Sequence, residues 1–148
     1  MKISIASDHA GFELKNEIVG YLRKKPDLEV LDMGTDSEKN AVDYPAMAAK
    51  VAKSIQNGES ERGIVLCGTG IGISISANKF KGIRAALCHD AYTARMSRAH
   101  NNANVLALGG RTTGRGVAFD IVDVWFNTEF EGDRHTRRID LITGFEQD

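Results

Sequence analysis

Apolar residues recur along this chain in two periods, and the switches between them divide it into elements. Residues 2–7 (KISIAS) predict a first strand. From Gly11 the period lengthens: Leu14, Ile18 and Tyr21/Leu22 recur at helical spacing, and Pro26-Asp27 stops that helix. Residues 28–33 predict a second strand. The polar loop 34–43 ends at Asp43, a predicted N-cap with Pro45 just inside the next helix. Ala48, Val51, Ala52 and Ile55 share one face of that helix, and Asn57-Gly58 ends it. Further strands are predicted over 63–67, 83–88 and 104–109. A short helix is expected over about 72–79, and another runs from an Asp90 cap to Ala99. Val117, Ile121 and Val124/Trp125 mark the next helix, and a last one covers 134–146 with Ile139, Ile142 and Phe145 on its apolar side.

Five short apolar strands alternating with helices predict βαβ units. The expected fold is a three-layer α/β/α Rossmann-like sandwich around a five-stranded parallel sheet, with an extra C-terminal helix. In such a sheet the loops after strands one, three and five lie along one edge. That brings Asp8-His9, the loop after Cys67 and the segment near Arg111 towards each other.

Length and charge narrow the function classes. The 148 residues suit a single domain, residues 1–148, with a full core. A net charge of −1 advertises no nucleic-acid or acidic-membrane partner. No apolar segment approaches the ~20 residues that cross a bilayer, and the N-terminus lacks a signal peptide's apolar region. Two cysteines, Cys67 and Cys88, make no disulfide framework. A cytoplasmic protein with reduced thiols is expected.

The chemistry concentrates at LCGTGIGIS, residues 66–74. A cysteine closes an apolar run, and Gly68, Gly70 and Gly72 follow at alternate positions. The pattern reads as strand, a turn rich in bare N–H groups, then helix start. Such a turn attracts anions and biases a neighbouring thiol towards thiolate. Cys67 reads alternatively as a small buried hydrophobe. Cys88 has no glycine loop after it and reads as structural. The loop is not a dinucleotide fingerprint in spacing or in strand position, although Asp90 lies where a ribose-binding carboxylate would be expected. Asp8 reads as a helix cap or a site residue, and His9 as a loop residue or a ligand group. His100 and Asn101 end a helix, where a histidine also suits the dipole. Arg134 and Arg138 share a helical face and could fork onto a phosphate, whereas Arg137 points elsewhere. No metal-binding spacing is present, so no metal is predicted.

Several segments together resemble the type B ribose-5-phosphate isomerases, grouped with allose- and galactose-6-phosphate isomerases. They are SDHAGFELK (7–15), DYP (43–45), LCGTGIGISISANK (66–79), IRAALC (83–88), HDAYTARMSRAHNNANVLALGGR (89–111) and EGDRHTRRID (131–140). The resemblance implies aldose–ketose isomerisation of a phosphosugar through an enediolate, with no cofactor. It makes Cys67 the base. Some relatives use a glutamate in the loop, but Ile73 stands at that place here. Gly68, Thr69, Gly70, Ile71 and Gly72 resemble the anion hole, His100 the group that opens the furanose ring, and Thr69 its helper. Asp8 and Asn101 resemble groups that hold sugar hydroxyls. His9, Arg111, Arg134 and Arg138 resemble a phosphate clamp, and Tyr44 lines the pocket. A homodimer or tetramer with shared sites is also implied. The expected substrate is ribose 5-phosphate. The alternatives are a hexose 6-phosphate on the same scaffold, or a non-catalytic nucleotide-binding module using Gly68–Gly72 and Asp90.

Overall fold

The computed structural model describes residues 1–147, and the predicted alternation holds along them. The strands are β1 (Lys2–Ser7), β2 (Glu29–Asp32), β3 (Arg62–Cys67), β4 (Ala85–Leu87) and β5 (Val105–Gly109). The helices are α1 (Phe12–Leu22), α2 (Tyr44–Gln56), α3 (Ile71–Ala77), α4 (Ala91–Ala99), α5 (Arg115–Asn127) and α6 (Arg134–Gly144). Short 3-10 turns precede α1 (His9–Gly11) and follow α6 (Phe145–Gln147).

All strands are parallel, in the order β2-β1-β3-β5-β4. Right-handed crossovers then fix the layers. Steps towards β4 put their helices on one face, and steps towards β2 on the other. The two buried clusters agree. Ile3, Ile5, Ile64, Leu66, Leu106 and Leu108 pack with α1, α5 and Ala94 of α4. Ala6, Val65, Cys67, Val105 and Ala107 pack with α2 and α3. The two-residue alternation of each strand thus feeds both layers. Trp125 is the largest side chain with no exposed surface, and truncating such a ring to alanine costs about 3–5 kcal/mol. Lys15 of α1 is also buried. Its Nζ sits 2.7 Å from Asp32 Oδ2, which ties α1 to β2 beside the first loop.

Several boundaries differ from the sequence pattern. Only Ala85–Leu87 of the predicted 83–88 strand pairs. The Arg84 N–H donates instead to Asn104 Oδ1. Strand two is confined to Glu29–Asp32, and α3 begins at Ile71 and ends at Ala77. Asp43 stands at the N-cap of α2, but its side chain makes no capping bond, so the entry rests on Pro45. Asp90 does cap α4, accepting from the Thr93 N–H at 2.7 Å. The last helix ends at Gly144. Its predicted apolar side does not enter the core: Ile142 and Phe145 are exposed.

Candidate active site

The chain leaves β1 towards β2 on one side and reaches β3 on the other, so a crevice opens past the carboxyl ends of β1 and β3. Asp8, which is buried, ends β1 there. Its Oδ1 accepts from the N–H groups of Ala10 and Gly11 at 2.9 and 3.0 Å. The capping reading of Asp8 holds: one oxygen caps the turn, and the other stays unused by it. His9 Nδ1 accepts from the Val42 N–H at 3.4 Å, which leaves Nε2 as the proton-bearing nitrogen.

Cys67 closes β3 and is 5% exposed. The Gly70 N–H donates to its Sγ at 3.1 Å. A thiolate takes such a bond more strongly than a thiol. The bond requires a sharp turn, and Gly70 supplies it with φ of +78°. A side chain there would also strike Leu87 and the Leu108 backbone. Thr69 Oγ1 accepts from the Ile71 N–H at 3.2 Å. Among the described residues, the N–H groups of Gly68, Thr69 and Gly72 find no acceptor within the chain. They are the free donors of this loop.

Three loops meet at this edge. The Gly110 N–H donates to Cys67 O at 2.8 Å and the Arg111 N–H to Gly68 O at 2.9 Å. The Arg111 side chain lies over Gly68 so closely that an added methyl would sit 3.5 Å from its Nη1. The Tyr44 ring packs in the same way on Gly72, at the start of α3. A cleft of about 340 Å³ runs between His9, Ala10, Glu13, Glu38, Gly110 and Arg111. The expected meeting of Asp8-His9, the Cys67 loop and Arg111 is therefore present.

The second group of candidates is elsewhere. His100 ends α4, which runs back along the sheet, so it lies at the edge where the strands begin. Arg84 Nε donates to the carbonyls of Asn101 and Asn102, and the Gly63 N–H to Asn104 O, which fixes this segment at the starts of β3, β4 and β5. Chain order brings Arg134 and Arg138 of α6 to the same edge. The His100 and His135 rings stack with centroids 4.2 Å apart, and the Glu131 N–H donates to Ala99 O at 3.0 Å. A single chain thus divides the predicted phosphate clamp. His9 and Arg111 lie at one edge, and Arg134 and Arg138 at the other. His100 and Asn101 do not meet Cys67.

His135 and Glu131 were not singled out as site residues from sequence, because His100 joins this (i, i+4) pair from a separate segment. Their ligand atoms lie within 4.8 Å of one another. Burial, followed by Arg134 and His100, holds the His135 imidazole below its usual range. Burial pushes the Cys88 thiol up, as suits a structural cysteine. Asp90, just beyond β4, is engaged by Thr93 as the cap of α4. A cavity of about 480 Å³ between β4 and the end of α6 includes Asn101 but no residue of the Cys67 loop. Among the described residues no helix is long and apolar enough to cross a membrane.

Comparison with known proteins identifies the family. The profile of a family described as Ribose/Galactose Isomerase matches residues 3–142. Ribose-5-phosphate isomerase B of Escherichia coli is 49% identical over 146 residues, covering 99% of this chain and 97% of that protein. D-erythrulose-4-phosphate isomerase of Pectobacterium atrosepticum is 44% identical, covering 99% and 95%. The solved structure of Clostridium thermocellum ribose-5-phosphate isomerase B superposes with a TM-score of 0.97 at 54% identity, covering 99% and 98%.

Proposed function

Since the chain belongs to the ribose/galactose isomerase family and is a sugar-phosphate aldose–ketose isomerase, we propose that it interconverts D-ribose 5-phosphate and D-ribulose 5-phosphate, with Cys67 as the base. The Gly70 N–H held 3.1 Å from a sulfur at the β1/β3 crevice carries this reading. Cys67 Sγ takes the proton from C2 of the open-chain aldose. The C–H pair becomes the C1=C2 double bond, and the carbonyl pair moves onto O1. The free N–H groups of Gly68, Thr69 and Gly72 are placed to hold that negative oxygen, as fixed dipoles that need no reorganisation. The thiol then returns its proton to C1, while the C2 hydroxyl proton passes to O1, so that O1 becomes a hydroxyl and C2 the ketone. Asp8 holds a sugar hydroxyl, and His9 Nε2 and Arg111 bind the phosphate end, which fixes the reacting end in place.

The proposal includes a second copy of the chain. His100 as the ring-opening group, Asn101, Arg134 and Arg138 reach Cys67 only from a partner in a symmetric pair, where each edge faces its opposite. Leu141 and Ile142 on α6 and Phe145 just after it, 83% exposed, form an apolar surface that supports such docking.

Isomerase assays of the protein and of Cys67→Ala with ribose 5-phosphate, chelator present, test the reaction and the base. Turnover in the parent, a dead variant, and phosphosugar-dependent thermal stabilisation retained in both are expected. Normal turnover by Cys67→Ala overturns the assignment. The C4 sugar of the Pectobacterium relative shows that chain length varies within such similarity. A panel of tetrose 4-, pentose 5- and hexose 6-phosphates therefore decides the substrate.

A further inference from the structure

We propose that His100, Glu131 and His135 form a binding site for one divalent transition-metal ion of zinc-like chemistry in each chain. His100 Nε2 lies 3.8 Å from Glu131 Oε2, and His135 Nε2 lies 3.6 Å from the same oxygen. Both spacings are too long for hydrogen bonds. Two imidazoles and a carboxylate are a frequent zinc ligand set. At metal–ligand distances of ~2.0–2.2 Å, tetrahedral donors stand ~3.3 Å apart. The group therefore closes on an ion by small movements, mostly of the half-buried His100 ring, which must tilt from its stack on His135.

His135 supplies the second, independent observation. The residue is 5% exposed, its Nε2 is buried, and it has no hydrogen-bond partner while aimed at the Glu131 carboxylate. An orphaned imidazole nitrogen inside a protein costs free energy, and an ion shared with Glu131 would satisfy it. The frame is held from two sides, by the Glu131 N–H on Ala99 O and the His135 N–H on Gly132 O, both at 3.0 Å. Arg134 and Arg138 also face His135. Their charge lowers affinity for a cation, which Glu131 offsets.

The consequence rests on the role proposed above for His100. An ion that takes its Nε2 removes the ring-opening group, so zinc becomes an inhibitor of the reaction on cyclic substrate.

Cobalt(II) chloride titrated into the full-length Cys67→Ala protein tests binding with the competing thiol absent. The expected result is a visible absorption band of tetrahedral type that saturates at one ion per chain and is lost in Cys67→Ala/Glu131→Gln. Glu131 is exposed, so this change spares the fold. No band, or a band indifferent to Glu131→Gln, overturns the site. With Cys67 restored, Glu131→Gln alone should raise the zinc needed for half-inhibition, each protein taken relative to its own metal-free rate. The rise should be at least the roughly 10–100-fold that loss of an orienting partner costs a metal site. An ion bound and lost as expected, with turnover untouched by zinc, would uphold the site and refute the ring-opening role of His100 instead.

Discussion

Mixing two dead variants should restore activity. Cys67→Ala removes the proposed base, and His100→Asn removes the proposed ring-opening group. β3 is six residues long. At a rise of ~3.3 Å per residue, ~20 Å separates the edge carrying Cys67 from the edge carrying His100. No side-chain rotation spans that distance, so on the proposed roles a complete site takes Cys67 from one copy and His100 from the other. In a mixed pair, one site then carries both lesions and the other carries none. Random reassortment makes half of all pairs mixed, each with one intact site of two, so about one quarter of the parental rate per chain should return in the mixture and about one half in isolated mixed pairs. The assay refolds differently tagged variants together, isolates doubly tagged material, and follows ketose formation from ribose 5-phosphate. A mixture no faster than its two components would refute the shared site, and with it the partner origin of Asn101, Arg134 and Arg138.

His100→Asn should slow conversion of cyclic substrate by on the order of 10²–10⁴-fold, as for loss of a general acid–base group, while an open-chain analogue is largely spared. Equal losses would argue against ring opening. Gly70→Ala combines a positive φ with contacts at 2.5 Å to Leu87 and 2.9 Å to the Leu108 backbone. Strain of ~1–2 kcal/mol and overpacking of ~1–3 kcal/mol predict a loss of about 2–5 kcal/mol in urea unfolding. An unchanged midpoint would refute the tightness of this turn. The His135 imidazole titrates lower folded than unfolded, first through burial and then through Arg134 and His100. Its stabilising contribution is therefore complete above the unfolded value of ~6.5 and declines as pH falls through the lower folded value. His135→Gln should flatten the stability profile on that acid side. An identical profile would remove His135 as its source.

The crevice was legible because its determinants are local. Cys67 and the glycines at alternate positions adjoin in sequence, and the rule that parallel strands end at one edge brings in Asp8 and Arg111 without any knowledge of distance. Boundaries were less legible where a side chain substitutes for a ladder bond. Asn104 Oδ1 takes the Arg84 N–H, so the predicted 83–88 strand pairs only over Ala85–Leu87. The apolar face of α6 was read correctly as apolar. Periodicity, however, does not distinguish a face that meets the core from one left outside, as Ile142 and Phe145 are.

Grouping His100 with Cys67 is where a reading by residue type alone divides from one by topology. A helix that joins parallel strands starts at their carboxyl edge and must finish at the opposite one. Any residue between the end of α4 and the start of β5 is therefore barred from the crevice of its own chain, and so is α6, which follows the return of α5. That constraint was present in the strand and helix order before any coordinates. It separates the candidates into Asp8, His9, Cys67–Gly72 and Arg111 on one side, and His100, Asn101, Arg134 and Arg138 on the other. A fold that needs both sets for one reaction is incomplete as a single chain. On the proposed reading, α6, with Leu141 and Ile142 exposed, is the surface by which a second copy of the chain completes the site.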